Sequence, residues 1–338
     1  MYIVSSYTLA VVLCFVTMIC WGSWGNTQKL AAKSWRYELF YWDYVLGMVI
    51  FSLLMALTMG SIGEDGRPFL QDIAQASPAS IGWILLGAVV FNLSNILLSA
   101  SISIAGLSVA FPLGVGLALV MGVLNNIIFH PKGTENVFLL FLGVALVVAA
   151  IIFNGVASGK VSNETRDPKE NRKGVILALL AGIIMSFFSA LVYNGVDLSN
   201  FAAPAAGMCT PYTAIVVFSI GVLLSHFVFG TIVMKKPFVG EPVKYSQYFQ
   251  DGNAKTHIVG MLGGAIWCLG TALSYITAGK AGAAVSYALG QGAPLVAALW
   301  GVFVWKEFRG ATKTVNLLLT FMFIFFIVGL ALIIKSGM

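Results

Sequence analysis

The segment AGAAVSYALGQGAPLV, Ala281 to Val296, decides how this chain is read. It lies in a charge-free run from Ala281 to Trp305, long enough to cross a bilayer as a helix. Yet its middle, Ser286 to Leu295, holds two glycines, a glutamine and a proline. Glycine costs about 1 kcal/mol and proline about 3 kcal/mol relative to alanine inside a helix. The same pattern stands 176 residues earlier as AGLSVAFPLGVGLALV, Ala105 to Val120. Ala105-Gly106 falls on Ala281-Gly282, Val109 on Val285, and Leu113-Gly114 on Leu289-Gly290. Gly116 falls on Gly292, and Leu119-Val120 on Leu295-Val296. Upstream, Gly87 matches Gly263, Leu93 matches Leu269 and Leu97 matches Leu273, with no gap. Downstream, HPKG (130–133) aligns with EFRG (307–310) after a slip of one residue. The pattern is that of an internal repeat.

Composition sets the solvent. Of 338 residues, 59% are hydrophobic and 9% charged, with 24 phenylalanines. A soluble domain of this length could not hide so much apolar surface. Windows poor in charge predict ten spans: 7–28, 42–60, 81–104, 107–129, 137–157, 174–196, 212–234, 258–278, 282–305 and 315–334. Asp43 and His226 are the titratable exceptions within them. Each repeat then holds five spans. An odd number puts the second copy upside down, the architecture by which many secondary transporters place solute between repeats near the midplane. The expected fold class is an all-α integral membrane protein of ten helices in two inverted five-helix repeats. The first is 1–157 and the second 174–338, joined by the polar linker 158–173.

Lysine and arginine set the direction. Fifteen fall on one side, in 29–36, 158–173, 235–257 and 306–313; four fall on the other, Arg67, Lys132, Lys280 and Lys335. Basic loops stay in the cytoplasm, so both termini are expected outside. The positive charge is a topology signal, and nucleic acid is not an expected partner. The start lacks a basic n-region and its apolar stretch is long, so it reads as a retained first span, not a cleaved signal. Cys14, Cys20, Cys209 and Cys268 lack metal-ligand spacing, and neither disulfides nor a metal are expected. GVASGKV (155–161) falls short of a phosphate-binding loop by one residue of glycine spacing and lacks the following Ser or Thr. That excludes nucleotide binding and a primary pump. Asn163-Glu164-Thr165 is a glycosylation sequon on a loop expected in the cytoplasm, where it is not used.

Polar stripes at helical spacing mark faces turned from lipid. Asn92, Asn95, Ser99 and Ser103 form one; their repeat mates are Cys268, Thr271, Tyr275 and Gly279. Thr17, Trp21, Trp24 and Gln28 form another, as do Ser186, Ser189 and Tyr193, and Tyr287 with Gln291. Under the repeat symmetry they converge on one cavity of amides, hydroxyls and aromatic rings. Such a lining suits a small, neutral, polar solute. The candidate binding set is Trp21, Asn92, Asn95, Tyr193, Trp267, Thr271, Tyr275, Tyr287 and Gln291. PLGVG (112–116) and ALGQG (288–292) are the candidate loosened segments; close helix packing is the alternative reading of their glycines. Trp35, Trp42, Trp83 and Trp305 read as interfacial anchors. Asn125-Asn126 read as gate or packing residues.

Uphill transport requires a coupling ion, and intramembrane titratable groups are its candidates. Asp43 lies at the inner end of the second span, in YWDY, and is a proton carrier or a gate paired with a base such as Lys29. His226 sits inside the seventh span, with a structural role as the alternative. Glu307 follows the ninth span beside Lys306 and Arg309, where pairing or capping is expected. The residues do not separate proton from sodium. No catalytic constellation is present in the sequence, so no enzyme and no cofactor are expected.

These features carry a resemblance. Ten spans as two inverted fives, with WKEFRG (305–310) closing the ninth, resemble the drug/metabolite transporter superfamily. MYIVSS, YWDY, FLQDIAQ (69–75), TPYTAIVVFSIG (210–221) and the stretch from Ile276 to Gly310 resemble its ureide permease branch, over nearly the whole chain. The neighbouring branches are the glucose/ribose porters and the rhamnose–proton symporter. The resemblance implies import of a monosaccharide, a ureide such as allantoin, or a nucleobase such as uracil, with protons. The short central loop places a monosaccharide first and a ureide or nucleobase second. A passive facilitator or an exporter is a further alternative. A bacterial inner membrane location is expected, and a homodimer is left open.

Overall fold

The computed structural model describes residues 1–31, 35–63, 65–105, 107–161, 168–238 and 240–338. Lys33, Glu64, Gly106, Arg166 and the sequon 163–165 lie outside these residues. The described residues are helical and form no strand; one isolated bridge joins Val196 and Cys209. Nine helices among them are long and apolar enough to cross a membrane, so the chain is a multi-pass membrane protein.

The helices follow the predicted spans in chain order. The first is α1 (Tyr7–Ser23) continued by α2 (Gly25–Ala31), then α3 (Tyr37–Leu57). A short α4 (Phe69–Gln75) precedes α5 (Pro78–Ala105), α6 (Leu107–Phe129) and α7 (Val137–Val161). The apolar stretch described in α6 is shorter than in the nine, Leu113–Phe129. The sixth span is α8 (Pro168–Met185) with α9 (Phe188–Tyr193), followed by α10 (Pro211–Lys235). After short α11 (Tyr245–Gln250) comes α12 (Ala254–Ala281). The ninth span is α13 (Ala283–Gly290), α14 (Ala293–Leu299) and a π-helical stretch, Trp300–Val304; α15 (Lys313–Ser336) closes the chain.

Local chemistry fixes several starts. The Ser6 hydroxyl accepts from Leu9 N at 3.2 Å, and Thr312 caps α15 in the same way. Thr210 caps α10 with Pro211 in its first turn, where a missing N–H costs nothing. Asn253 and Thr256 cap α12 reciprocally.

Glycines set the closest crossings. On α7 and α15, a Cβ at Gly143 would lie 2.6 Å from Gly329 O, and one at Gly329 would lie 2.8 Å from Gly143 O. Between α3 and α12, Gly264 faces the Tyr44 carbonyl, Gly260 faces Asp43, and Gly47 faces the Met261 backbone. In lipid, association relies on such close packing rather than on apolar burial. Tyr7 OH donates to Ile334 O at 2.6 Å, so the first and last helices meet at one end of the bundle.

Two expectations change. PLGVG runs inside the continuous α6, whereas ALGQG ends α13, and α14 restarts at Ala293. Of the four expected anchor tryptophans, Trp83 is exposed. Trp35 and Trp42 are buried because their N–H groups find inner acceptors, Asp43 Oδ2 at 3.0 Å and Met234 Sδ at 3.4 Å. Trp305 donates to Asn26 Oδ1 at 2.7 Å. All four cysteines are free and buried.

Candidate solute site

A chamber lies where α1, α5, α6, α12 and the broken α13–α14 meet, with Met185 and Phe188 flanking the α8–α9 break. Its polar atoms come from Asn95, Ser99 and Gln291. Trp21, Trp24, Trp267, Phe91 and Phe188 form aromatic walls. No charged residue lines it among the described residues. Trp21 and Trp267 stand nearly parallel, centroids 6.3 Å apart and planes 17° apart, and Phe91 tilts against Trp267 at 4.5 Å.

Trp21 is held by absences as much as by bonds. Its Nε1 donates to Thr271 Oγ1 at 3.1 Å. A Cβ on Gly270 would lie 2.8 Å from its ring, and one on Gly290 2.7 Å. Gly290 therefore serves both as the end of α13 and as the space for an indole. Asn95 Nδ2 donates to Tyr41 OH at 2.8 Å, which orients the amide from α3.

The other candidates sit behind the wall. Asn92 donates to Ser225 Oγ at 2.9 Å on α10, leaving its carbonyl oxygen buried without a partner. Tyr287 OH donates to Ala118 O at 3.2 Å on α6. Tyr193 and Tyr275 meet edge to face at 5.6 Å, and Tyr275 OH is buried without a partner. Tyr193 also borders a second, polar hollow with His130, Lys132 and Asp197. Ser186 and Ser189 face α6 instead of the chamber: Asn125 donates to Ser186 O and Oγ at 3.1 and 3.2 Å, and Asn126 to Ser189 Oγ at 3.0 Å. The α8–α9 break frees backbone carbonyls, and inside a membrane these need protein donors.

Asp43 and Glu307 find partners other than those expected, and His226 finds no hydrogen bond. Lys29 pairs with Glu307 at 2.5 Å and lies 4.4 Å over the Trp305 ring, so it is not the partner of Asp43. Asp43 instead accepts from Trp35, expected as an interfacial anchor, and from His257 and Tyr248, which no pattern in the sequence marks. Burial, then Asp43, raises the Tyr248 hydroxyl above its usual range, which keeps it a neutral donor. His226 is buried against Trp42 at 4.4 Å and Tyr41 at 4.8 Å, with neither ring nitrogen hydrogen-bonded. The apolar wall residues escaped the sequence reading because, in a chain apolar throughout, one more Phe or Met carries no pattern.

A many-span helical protein built around an uncharged, polar and aromatic chamber has the build of a solute transporter. The chain belongs to the ureide permease family, which matches residues 40–173 and 166–336. Ureide permease 1 and Ureide permease 2 of Arabidopsis thaliana are each 23% identical over 100% of this chain and 99% of their own length. The "Putative sugar uptake protein" of Enterococcus faecalis (strain ATCC 700802 / V583) is 23% identical over 88% of this chain and 90% of its own. A solved structure titled only "Crystal structure of protein" shares the fold at 14% identity, with a TM-score of 0.59 and 96% of both chains covered.

Proposed function

We propose that the chain imports a small, uncharged ureide or nucleobase by alternating access, coupled to protons. The monosaccharide placed first by the sequence gives way to this alternative on the strength of the family. One observation carries the reading: Asn95 and Gln291 line the same uncharged chamber as Trp21 and Trp267. Carboxamides both donate and accept, matching the alternating N–H and C=O edge of a ureide, and indole faces accept a flat molecule. The test is thermal stabilisation of purified protein, with uptake, over allantoin, uracil, ribose, glucose and rhamnose. Allantoin or uracil should stabilise and be taken up against a gradient, and a protonophore should abolish the accumulation. Saturable ribose uptake untouched by allantoin and uracil sinks the substrate class; uptake that never exceeds the outside concentration leaves a passive facilitator.

The same reading takes ten crossings in two inverted repeats. Tyr7 near the start of α1 meets Ile334 near the end of α15, which favours an even number of crossings and makes α6 the proposed tenth. The helix neighbours favour the same symmetry. The third span packs on the sixth as the eighth packs on the first, and the fourth on the sixth as the ninth on the first. The aligned residues His130 and Glu307 follow suit: His130 Nε2–H donates to Ala190 O of the sixth span at 2.9 Å, and Glu307 binds Lys29 of the first. Fifteen basic residues against four put the Glu307 end in the cytoplasm and both termini outside. The proposed location is a bacterial inner membrane.

A further inference from the structure

We propose that Asp43 and His257 together form the proton-binding site of this transporter, closed by Tyr248. The inference rests on the proton-coupled reading above and supplies the residues that reading lacked. Asp43 is fully buried on α3, and donors from three separate segments converge on its carboxylate. His257 Nδ1 lies 2.8 Å from Oδ1, Tyr248 OH donates to the same oxygen, and Trp35 Nε1 lies 3.0 Å from Oδ2. Gly260, one turn along α12 from His257, packs on the Asp43 side chain, so the α12 backbone closes this face with no side chain at that turn.

The charges around the pair leave it one protonic degree of freedom. Among the described residues, His257 and Tyr248 are the titratable groups bonded to the carboxylate. Arg36 is taken by Glu38 at 2.6 Å and Lys29 by Glu307. On α10, along another side of α3, His226 sits against Tyr41 and Trp42. With one proton bound, Asp43 and His257 are a neutral pair; without it, a bare carboxylate is buried against a neutral imidazole. Burying an uncompensated charge is costly, so the proton decides whether α11 and the start of α12 stay docked on α3. The His257 side chain is 23% exposed and that of Asp43 1%. In this conformation the proton therefore leaves toward the cytoplasmic end through the more exposed imidazole, and loading from outside belongs to the alternate conformation.

The same two helices reach the solute. From His257 to Trp267, α12 runs ten residues, about 15 Å at 1.5 Å per residue. Within a turn of Asp43, α3 carries Tyr41, bonded to Asn95, and Tyr44, whose ring lies 5.1 Å from Trp24 and 6.4 Å from Trp267. The glycine seam between α3 and α12 leaves no slack, so a shift at Asp43 is carried to the Trp267 wall.

The test uses full-length protein in proteoliposomes with radiolabelled allantoin and uracil. Wild type should accumulate one of them under an inward proton gradient and exchange it without one. Asp43→Asn and His257→Gln should lose gradient-driven accumulation, while exchange persists and no longer responds to pH. Tyr248→Phe should stay coupled but move the pH of half-maximal uptake upward, because the carboxylate loses a donor and holds the proton more tightly. If Asp43→Asn fails to fold, His257→Gln and Tyr248→Phe carry the test. Undiminished accumulation by folded His257→Gln overturns the site alone, as does joint loss of accumulation and exchange. Wild-type transport indifferent to the gradient overturns the coupled reading and the site with it.

Discussion

At the scale of single residues, the chamber is shaped by where side chains are missing. The Trp21 indole fits because Gly270 and Gly290 have no Cβ, and Thr271 fixes its rotation. Gly290→Ala should fold but displace the ring, at about 1–3 kcal/mol of overpacking. The readout is weaker thermal stabilisation by allantoin or uracil. Gly292→Ala should be milder, since its new methyl would meet the movable Met18 sulfur, 2.7 Å away. Gln291→Ala removes an amide from the chamber. Leaving a buried solute group unpaired costs about 1–3 kcal/mol, so KM should rise roughly 5- to 150-fold. An unchanged KM would show that Gln291 does not touch the solute. Trp21, Asn95, Trp267 and Gln291 line the chamber, and each stands out in the sequence against an otherwise small and aliphatic span. The partners of Asp43 do not: His257 lies 214 residues away, in a stretch that reads as an ordinary basic loop.

At the scale of elements, the information lies in broken helices. The ninth span breaks at Gln291-Gly292, where the sequence already showed glycine and proline. The sixth breaks at Ser186-Phe187, with neither residue type present. That break is stabilised from outside, by Asn125 on α6 reaching the Ser186 carbonyl. A polar stripe says that a helix face avoids lipid, but not whether it meets solute or protein. Here the serines of one stripe meet the asparagines of another span. Asn125→Ala should therefore cost about 1–3 kcal/mol by leaving that carbonyl unpaired. Thermal unfolding in detergent should shift downward while the affinity for allantoin or uracil, once folded, changes little. A large affinity loss with unchanged unfolding would return Asn125 to the solute path.

At the scale of the whole molecule, alternating access requires that the two ends never open together. Under the proposed symmetry, the end bearing Glu307 is closed by contacts between the first and ninth spans. Lys29 binds Glu307, and Trp300 and Trp305 donate to Ser23 and Asn26 at 2.9 and 2.7 Å. The ion pair itself is half exposed, and such pairs contribute about 0–1 kcal/mol. Lys29→Ala should therefore barely change thermal stability. The contact matters by position, because the spans it joins both line the chamber through Trp21, Trp24 and Gln291. The sharper experiment replaces Lys29 and Glu307 by cysteine in a protein cleared of its four native cysteines. A cleavable thiol cross-linker should then halt uptake and exchange together, and cleavage should restore both. Solute binding from the opposite end should survive the cross-link. Full transport by the cross-linked protein would mean that the first and ninth spans need not part, and the gate would have to be sought elsewhere along the repeat interface.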